Sequence, residues 1–267
     1  MNAPSTYAWP TRGLAFTYGV FCHALFLVAV GFMVHGLYVG MAGWGPFEGG
    51  WQIAVDAAIA LHFPFLHSFA LSKRGGRLLS RVVPAGLGRP LATTTYVIFA
   101  SAQILAVFAL WSPSEIVLWE ATGPWLRVSQ VLYAVSWVLV VKTMGDAGLG
   151  TQLGFKGWLA VARGQQPSYG GFPQAGTFRY CRQPVYAAFA LTLWTGPVLT
   201  VDRLLLASIW TAYCVAGPLL KERRYLERYG AAFRAYQAQV PFMIPSLRPA
   251  RPAAEPVPAP QLVEVSR

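Results

Sequence analysis

Apolar residues in this chain fall in long unbroken runs, not in the alternation of a strand or the stripe of a soluble helix. Residues 14–40, LAFTYGVFCHALFLVAVGFMVHGLYVG, carry no Asp, Glu, Lys or Arg. A helix needs roughly 20 predominantly apolar residues to cross a bilayer core. Residues 14–40 meet that length, as do 51–71, 91–111 and 124–143. A last run, 184–220, is nearly twice as long as one crossing needs. Gly196-Pro197 interrupts it about a third of the way along, with Thr200, Val201 and Asp202 just beyond. This pattern predicts a helical hairpin with arms 184–196 and 202–220, the first arm short for a full span. The predicted fold class is therefore all-α: a polytopic integral membrane helical bundle of about six transmembrane helices, closed by a C-terminal hairpin.

The charges orient these helices. Loop 42–50 holds only Glu48, and loop 112–123 only Glu115 and Glu120. Loop 72–90 instead holds Lys73, Arg74, Arg77, Arg81 and Arg89. Segment 142–183 and the tail from 221 hold most of the rest, and of the 21 basic residues only Arg127 and Arg203 fall near the opposite face. Lys and Arg accumulate in cytoplasmic loops, so both termini are expected in the cytoplasm.

Composition narrows the classes further. Hydrophobic residues make up 55% and charged residues 12% of the 267, with a mean hydropathy of +0.44. A soluble domain carries roughly 25% charge. The formal net charge of +11 would suit a nucleic acid partner, but the basic residues lie between apolar segments and not on one polar domain; no nucleic acid partner is expected. Cys22, Cys181 and Cys214 form neither a disulfide framework nor a zinc motif, and no metal site is expected. Residues 1–12 lack the marks of a cleaved signal peptide. The Pro- and Ala-rich segment 250–267 is expected to be a disordered tail behind a single membrane domain, 1–249.

Candidate chemistry sits where polar groups meet apolar runs. Asp56 and His67 lie eleven residues apart in the second run, on one helical face and about 16 Å apart along the axis, whereas His62 points elsewhere. Buried polar groups in a membrane are costly and mark sites. An interfacial hydrogen-bonding role beside Ser68 accounts for His67 equally well. The densest cluster brackets the hairpin: Gly176-Thr177-Phe178-Arg179-Tyr180-Cys181-Arg182-Gln183-Pro184-Val185-Tyr186 before it, and Lys221-Glu222-Arg223-Arg224-Tyr225 after it. A hairpin returns its ends to one surface, so Arg179, Arg182, Tyr186 and Glu222 should converge. Pro184 opens a helix at little cost, and the free N–H groups there, with Arg182, suit a carboxylate. Snorkelling anchors and an aromatic belt are the competing account of the same residues.

The string G-T-F-R-Y-C-R-Q-P-V-Y, a hairpin, and then K-E-R-R-Y-L-E-R-Y-G-A-A-F-R-A-Y-Q-A-Q-V-P-F-M-I-P resembles the isoprenylcysteine carboxyl methyltransferase and phospholipid methyltransferase superfamily. Its signature runs G-x-x-R-Y-x-R-H-P-x-Y, a hairpin, E-E-x-x-L-x-x-x-F-G-x-x-Y-x-x-Y-x-x-x-V-P-x-x-I-P. Upstream, His67-Ser68, the basic loop reaching Arg81-Val82-Val83-Pro84, and Thr94 with Tyr96 look like the methanethiol S-methyltransferase and NnrU-type branch. So does T-G-P-V-L-T-V-D-R-L-L-L-A in the hairpin. The resemblance implies an enzyme of a bacterial inner membrane that uses S-adenosylmethionine. It implies cofactor contacts at Arg179, Arg182, Gln183, Tyr186 and Glu222, with His67 as the candidate base toward a small thiol such as methanethiol. Gln183 stands where the family has His, and Lys221 where it has the first Glu. A lipid or prenylated acceptor, or a non-catalytic protein retaining the fold, are the alternatives. Acceptor identity and oligomeric state stay open at this level.

Overall fold

A computed structural model describes residues 6–83 and 86–250. Pro84 of the basic loop and the expected tail, apart from Ala250, lie outside the described residues. In chain order the elements are α1 (Trp9–Val39), α2 (Gly50–Ala70), α3 (Lys73–Arg81), α4 (Ala92–Ala109), β1 (Val117–Glu120), α5 (Gly123–Asp146), α6 (Leu149–Gln152) and α7 (Phe155–Ala162). A 3₁₀ turn (Gly176–Arg179) leads into α8 (Pro184–Thr195), β2 (Val198–Thr200), α9 (Val201–Tyr229) and α10 (Ala231–Gln239). Among the described residues, α1, α2, α4, α5 and α9 are long and apolar enough to cross a membrane, and α8 is a shorter apolar helix.

The outer faces of these helices are apolar. Phe16, Phe21 and Leu27 of α1 and Val131, Val138 and Val141 of α5 are exposed. Water does not tolerate an apolar belt on that scale, whereas lipid does, and helices satisfy every backbone group within the bilayer. The protein is an integral membrane helical bundle. Between helices, small residues set the spacing. A Cβ on Gly36 of α1 would come within 2.6 Å of the Phe108 ring on α4, and one on Gly19 would run into Trp158 on α7. The largest core cluster gathers Leu37, Phe108, Trp111, Leu193, Leu206 and Trp210 from α1, the end of α4, α8 and α9.

The hairpin has a built turn. Thr200 caps α9, its hydroxyl accepting from Arg203 N at 3.0 Å and donating to Gly40 O. Arg203, 1% exposed, turns back to donate to the carbonyls of Leu193 (3.1 Å), Gly196 (2.8 Å) and Val198 (2.6 Å). The sequence suggested that Arg203 faced the outer surface; it is instead a buried clasp on the turn. Gly196 leaves it room, since a Cβ there would meet Leu37 O at 2.5 Å and Arg203. Asp202, in the first turn of α9, accepts from Trp111 Nε1 at 3.2 Å and from Ser114 N and Oγ at 3.0 and 2.5 Å. β1 and β2 pair antiparallel beside it, Val117 opposite Thr200 and Glu120 opposite Val198.

At the other end, α9 continues past residue 220, where its apolar run stops, so Lys221 to Arg228 are helical. α10 then folds back, and the segment after it pairs with the start of α8: Arg182 N donates to Pro241 O at 2.9 Å and Gln183 N to Phe242 O at 3.1 Å. Burial pushes the Tyr236 phenol above its usual ionisation range, so it stays a donor, to Phe178 O at 2.7 Å.

Candidate functional site

Two groups of side chains meet where α8 and α9 return to one surface. The first is a closed polar cluster. Arg182 pairs with Glu222 through Nε–Oε1 at 2.8 Å and Nη2–Oε2 at 3.2 Å. Gln183 Nε2 donates to Oε1 at 2.7 Å and Gln237 Nε2 to Oε2 at 2.7 Å. The Arg182 side chain also donates to Val240 O at 2.5 Å and Gln237 O at 3.2 Å. Glu222 is buried, and each of its oxygens already accepts from two donors. A buried carboxylate is tolerated on those terms.

The second group surrounds a cavity of about 420 Å³ between α2, α4, α8 and α9, at the end away from the hairpin turn. Its walls are aromatic: Phe63, Tyr96, Tyr186, Trp210, Tyr213 and Tyr225. His67 lines it, with Tyr96 Oη 2.5 Å from Nε2 and 3.1 Å from Nδ1. Ser68 donates to Tyr213 Oη at 3.1 Å. Lys221 connects the two groups. Its Nζ donates to Gln183 Oε1 at 3.0 Å and lies over the rings of Tyr186, Tyr225 and Phe178 at 5.5, 5.7 and 6.0 Å. The ring faces thus already accommodate one cation. The two unusual residues of the motif, Gln183 and Lys221, are therefore partners, and a single hydrogen bond accounts for both.

A more polar cavity of about 440 Å³ adjoins the first and shares Ala147, Gln152, Pro173 and Tyr225 with its wall. Asp146 faces it and is held by Lys142 Nζ at 2.5 Å and by Thr177 N and Oγ1, each at 2.8 Å. Gly176 makes this contact possible: its φ is +58°, and a Cβ there would come 2.4 Å from the Asp146 carboxyl.

Of the residues expected from sequence, Arg182, Gln183 and Glu222 share the closed cluster, while His67 and Tyr186 share the cavity. Arg179 joins neither; its Nε donates to Ala250 O at 2.8 Å. Asp56 shares a helix with His67 but lies toward the far end of it, fully buried and accepting from Ser112 N at 3.1 Å. Among the described residues, no His, Cys, Asp and Glu side chains gather into a metal-binding group.

Comparison with known proteins matches residues 84–240, the stretch that supplies α4, α8 and α9 to this cavity, to a family described as "Protein of unknown function (DUF1295)". The chain belongs to the DUF1295 family. Among curated proteins, this DUF1295 member is 26% identical over 235 residues to methanethiol S-methyltransferase 1 of Bradyrhizobium diazoefficiens, covering 87% of the chain and 82% of that relative. It is 29% identical over 201 residues to methanethiol S-methyltransferase of Pseudomonas deceptionensis, covering 74% and 75% respectively. It is also 28% identical over 171 residues to rat nurim, covering 61% of the chain and 63% of that protein.

The sequence pattern alone assigned no role to Arg224, Tyr213 or Tyr225, which all line the cavity of this DUF1295 chain. The signal was present: Trp210, Tyr213, Cys214, Lys221, Arg224 and Tyr225 recur at helical spacings along one face of α9. The change from apolar to charged residues at 220 concealed it.

Proposed function

We propose that this protein is an S-adenosylmethionine-dependent membrane methyltransferase acting on a small thiol such as methanethiol. One observation carries the reading. His67 and Tyr186 face a single buried aromatic cavity, in a chain that aligns over 87% of its length with a methanethiol S-methyltransferase. The paired cavities suit the donor: an aromatic chamber whose Tyr186 and Tyr225 rings already take the Lys221 ammonium, beside a polar chamber for a nucleoside and an amino acid. The donor would supply a methyl group already activated on a sulfonium. Tyr186 and Tyr225 would present their rings to that positive charge. Arg182, Gln183 and Glu222 would act through Lys221, which they fix at the wall of the aromatic chamber.

The protein's other tasks are alignment and proton removal. Walls this apolar exclude water and hold a small acceptor near the methyl position. His67 would take the thiol proton, with Tyr96 fixing the imidazole ring. The positive-inside pattern supports a cytoplasmic position for both termini and for the cavity, in a bacterial inner membrane. Residues 1–249 would form the catalytic domain.

Purified protein given labelled S-adenosylmethionine with methanethiol, larger thiols and extracted lipids in separate reactions should release volatile label from methanethiol. Label confined to the lipid fraction would replace the thiol acceptor with a lipid one. Absence of transfer together with absence of donor binding would remove the enzymatic reading.

A further inference from the structure

The charges facing the aromatic cavity are one-sided. Lys221 and Arg224 of α9 both line it, and no Asp or Glu does. The other titratable groups in its wall are His67 of α2, Tyr96 of α4, Tyr186 of α8, and Tyr213, Cys214 and Tyr225 of α9. Glu222, next to Lys221 in the chain, is taken up by Arg182, Gln183 and Gln237. Asp146 belongs to the adjoining chamber and is held by Lys142 and Thr177. Lys221 has Gln183 and ring faces as partners. Arg224 is half-buried, and among the described residues its side chain makes no hydrogen bond or ion pair. It lies within electrostatic reach of His67, Tyr96, Tyr186 and Tyr213.

A guanidinium beside a largely apolar wall, with no carboxylate in that wall, attracts an anion into the chamber. The surrounding tyrosines carry no charge to supply it. What the chamber lacks is an anion small enough to share it with a methyl donor.

We propose that Arg224, assisted by Lys221, binds the methyl acceptor as its thiolate. This rests on the methyltransferase reading above and specifies its substrate: an anionic sulfur, not a neutral lipid hydroxyl. The acceptor's S–H bond breaks with its proton passing to His67 and the electron pair staying on sulfur beside Arg224. That pair forms the new S–C bond while the bond from methyl to sulfonium breaks, and the pair released neutralises the departing sulfur. The products are two thioethers. A thiolate is the nucleophilic form, and a neighbouring cation raises its population.

Ionisation of a bound thiol tests this without turnover. A mercaptocoumarin, whose absorption differs between thiol and thiolate, is added to the full-length protein in lipid nanodiscs without donor. An apolar cavity alone would favour the neutral thiol. Wild-type protein should bind the probe as thiolate, with its ionisation midpoint at least about one pH unit below the value for Arg224→Gln. Arg224→Lys, which retains a cation, should stay close to wild type. A neutral-thiol band in wild type, no binding, or equal midpoints in wild type and Arg224→Gln would each overturn the proposal. Should Arg224→Gln fail to fold, wild type and Arg224→Lys decide it alone. Methyl transfer to methanethiol is measured on the same preparation. A thiolate band without transfer removes the methyltransferase reading and leaves the anion site. Transfer with a neutral-thiol band does the reverse.

Discussion

The final helix pair holds a buried or half-buried arginine at each end, and the two ends use it differently. At the hairpin turn, Arg203 donates to three backbone carbonyls, and Thr200, Asp202, Trp111 and Ser114 complete the neighbouring contacts. Its polar groups serve to close the chain on itself. At the opposite end, Glu222 engages Arg182 just as fully, but Lys221 and Arg224 on the same helix face a cavity with no carboxylate in its wall. An arginine that donates to the chain's own carbonyls holds the fold. Charges left facing a cavity mark where a ligand belongs.

Substitutions at the two ends should therefore separate stability from chemistry, and the largest effect should come from the residue that touches both. Glu222→Ala leaves the half-buried Arg182 without its anion, at a cost of about 3 kcal/mol. It also frees Gln183 and with it Lys221, so thermal unfolding in detergent should shift down and donor affinity by calorimetry should be lost. Unchanged donor affinity in folded Glu222→Ala would detach the closed cluster from the site. Arg203→Leu removes the donors to three carbonyls and should cost about 2 kcal/mol of stability, with turnover per folded molecule unchanged. A turnover defect there would mean that the hairpin turn reaches the chemistry. His67→Ala should lower kcat about 100-fold at unchanged thermal stability; stability lost in its place would make His67 a packing residue. The smallest effect belongs to Tyr186→Phe. The Tyr186 hydroxyl has no hydrogen-bond partner among the described residues, so its removal should raise KM for the donor only about fivefold, the value of one hydrogen bond. No change in KM would confine Tyr186 to its ring face.

Much of this arrangement is legible in the sequence. The apolar runs at 14–40, 51–71, 91–111 and 124–143 correspond to α1, α2, α4 and α5 within a few residues, because a bilayer demands a long unbroken run and few other environments produce one. The break at Gly196-Pro197 marks the turn for a steric reason that the close approach of Leu37 O makes visible. Hydropathy loses its meaning outside the bilayer, and there the pattern misleads. It stops α9 at 220, although the helix continues nine residues to Tyr229 and carries Arg224 into the cavity. It also leaves 142–183 as a basic segment with no element assigned, although Phe155–Ala162 is a helix that packs Trp158 against Gly19. The pairing of β1 with β2 joins residues 117–120 to 198–200, a contact far apart in sequence that no local pattern announces. The convergence of Arg182 with Glu222 follows from hairpin geometry alone, whereas the saturation of Glu222 by Gln183 and Gln237 depends on where α10 returns.

A cryo-EM structure of the protein with S-adenosylhomocysteine, in nanodiscs, would test the cavity end most directly. Ligand density should fill the chambers on either side of Tyr225, with the thioether sulfur facing His67 and the rings of Tyr186 and Tyr225. Density at another surface, or both chambers occupied by lipid at saturating ligand, would contradict the placement of methyl transfer between α2, α4, α8 and α9.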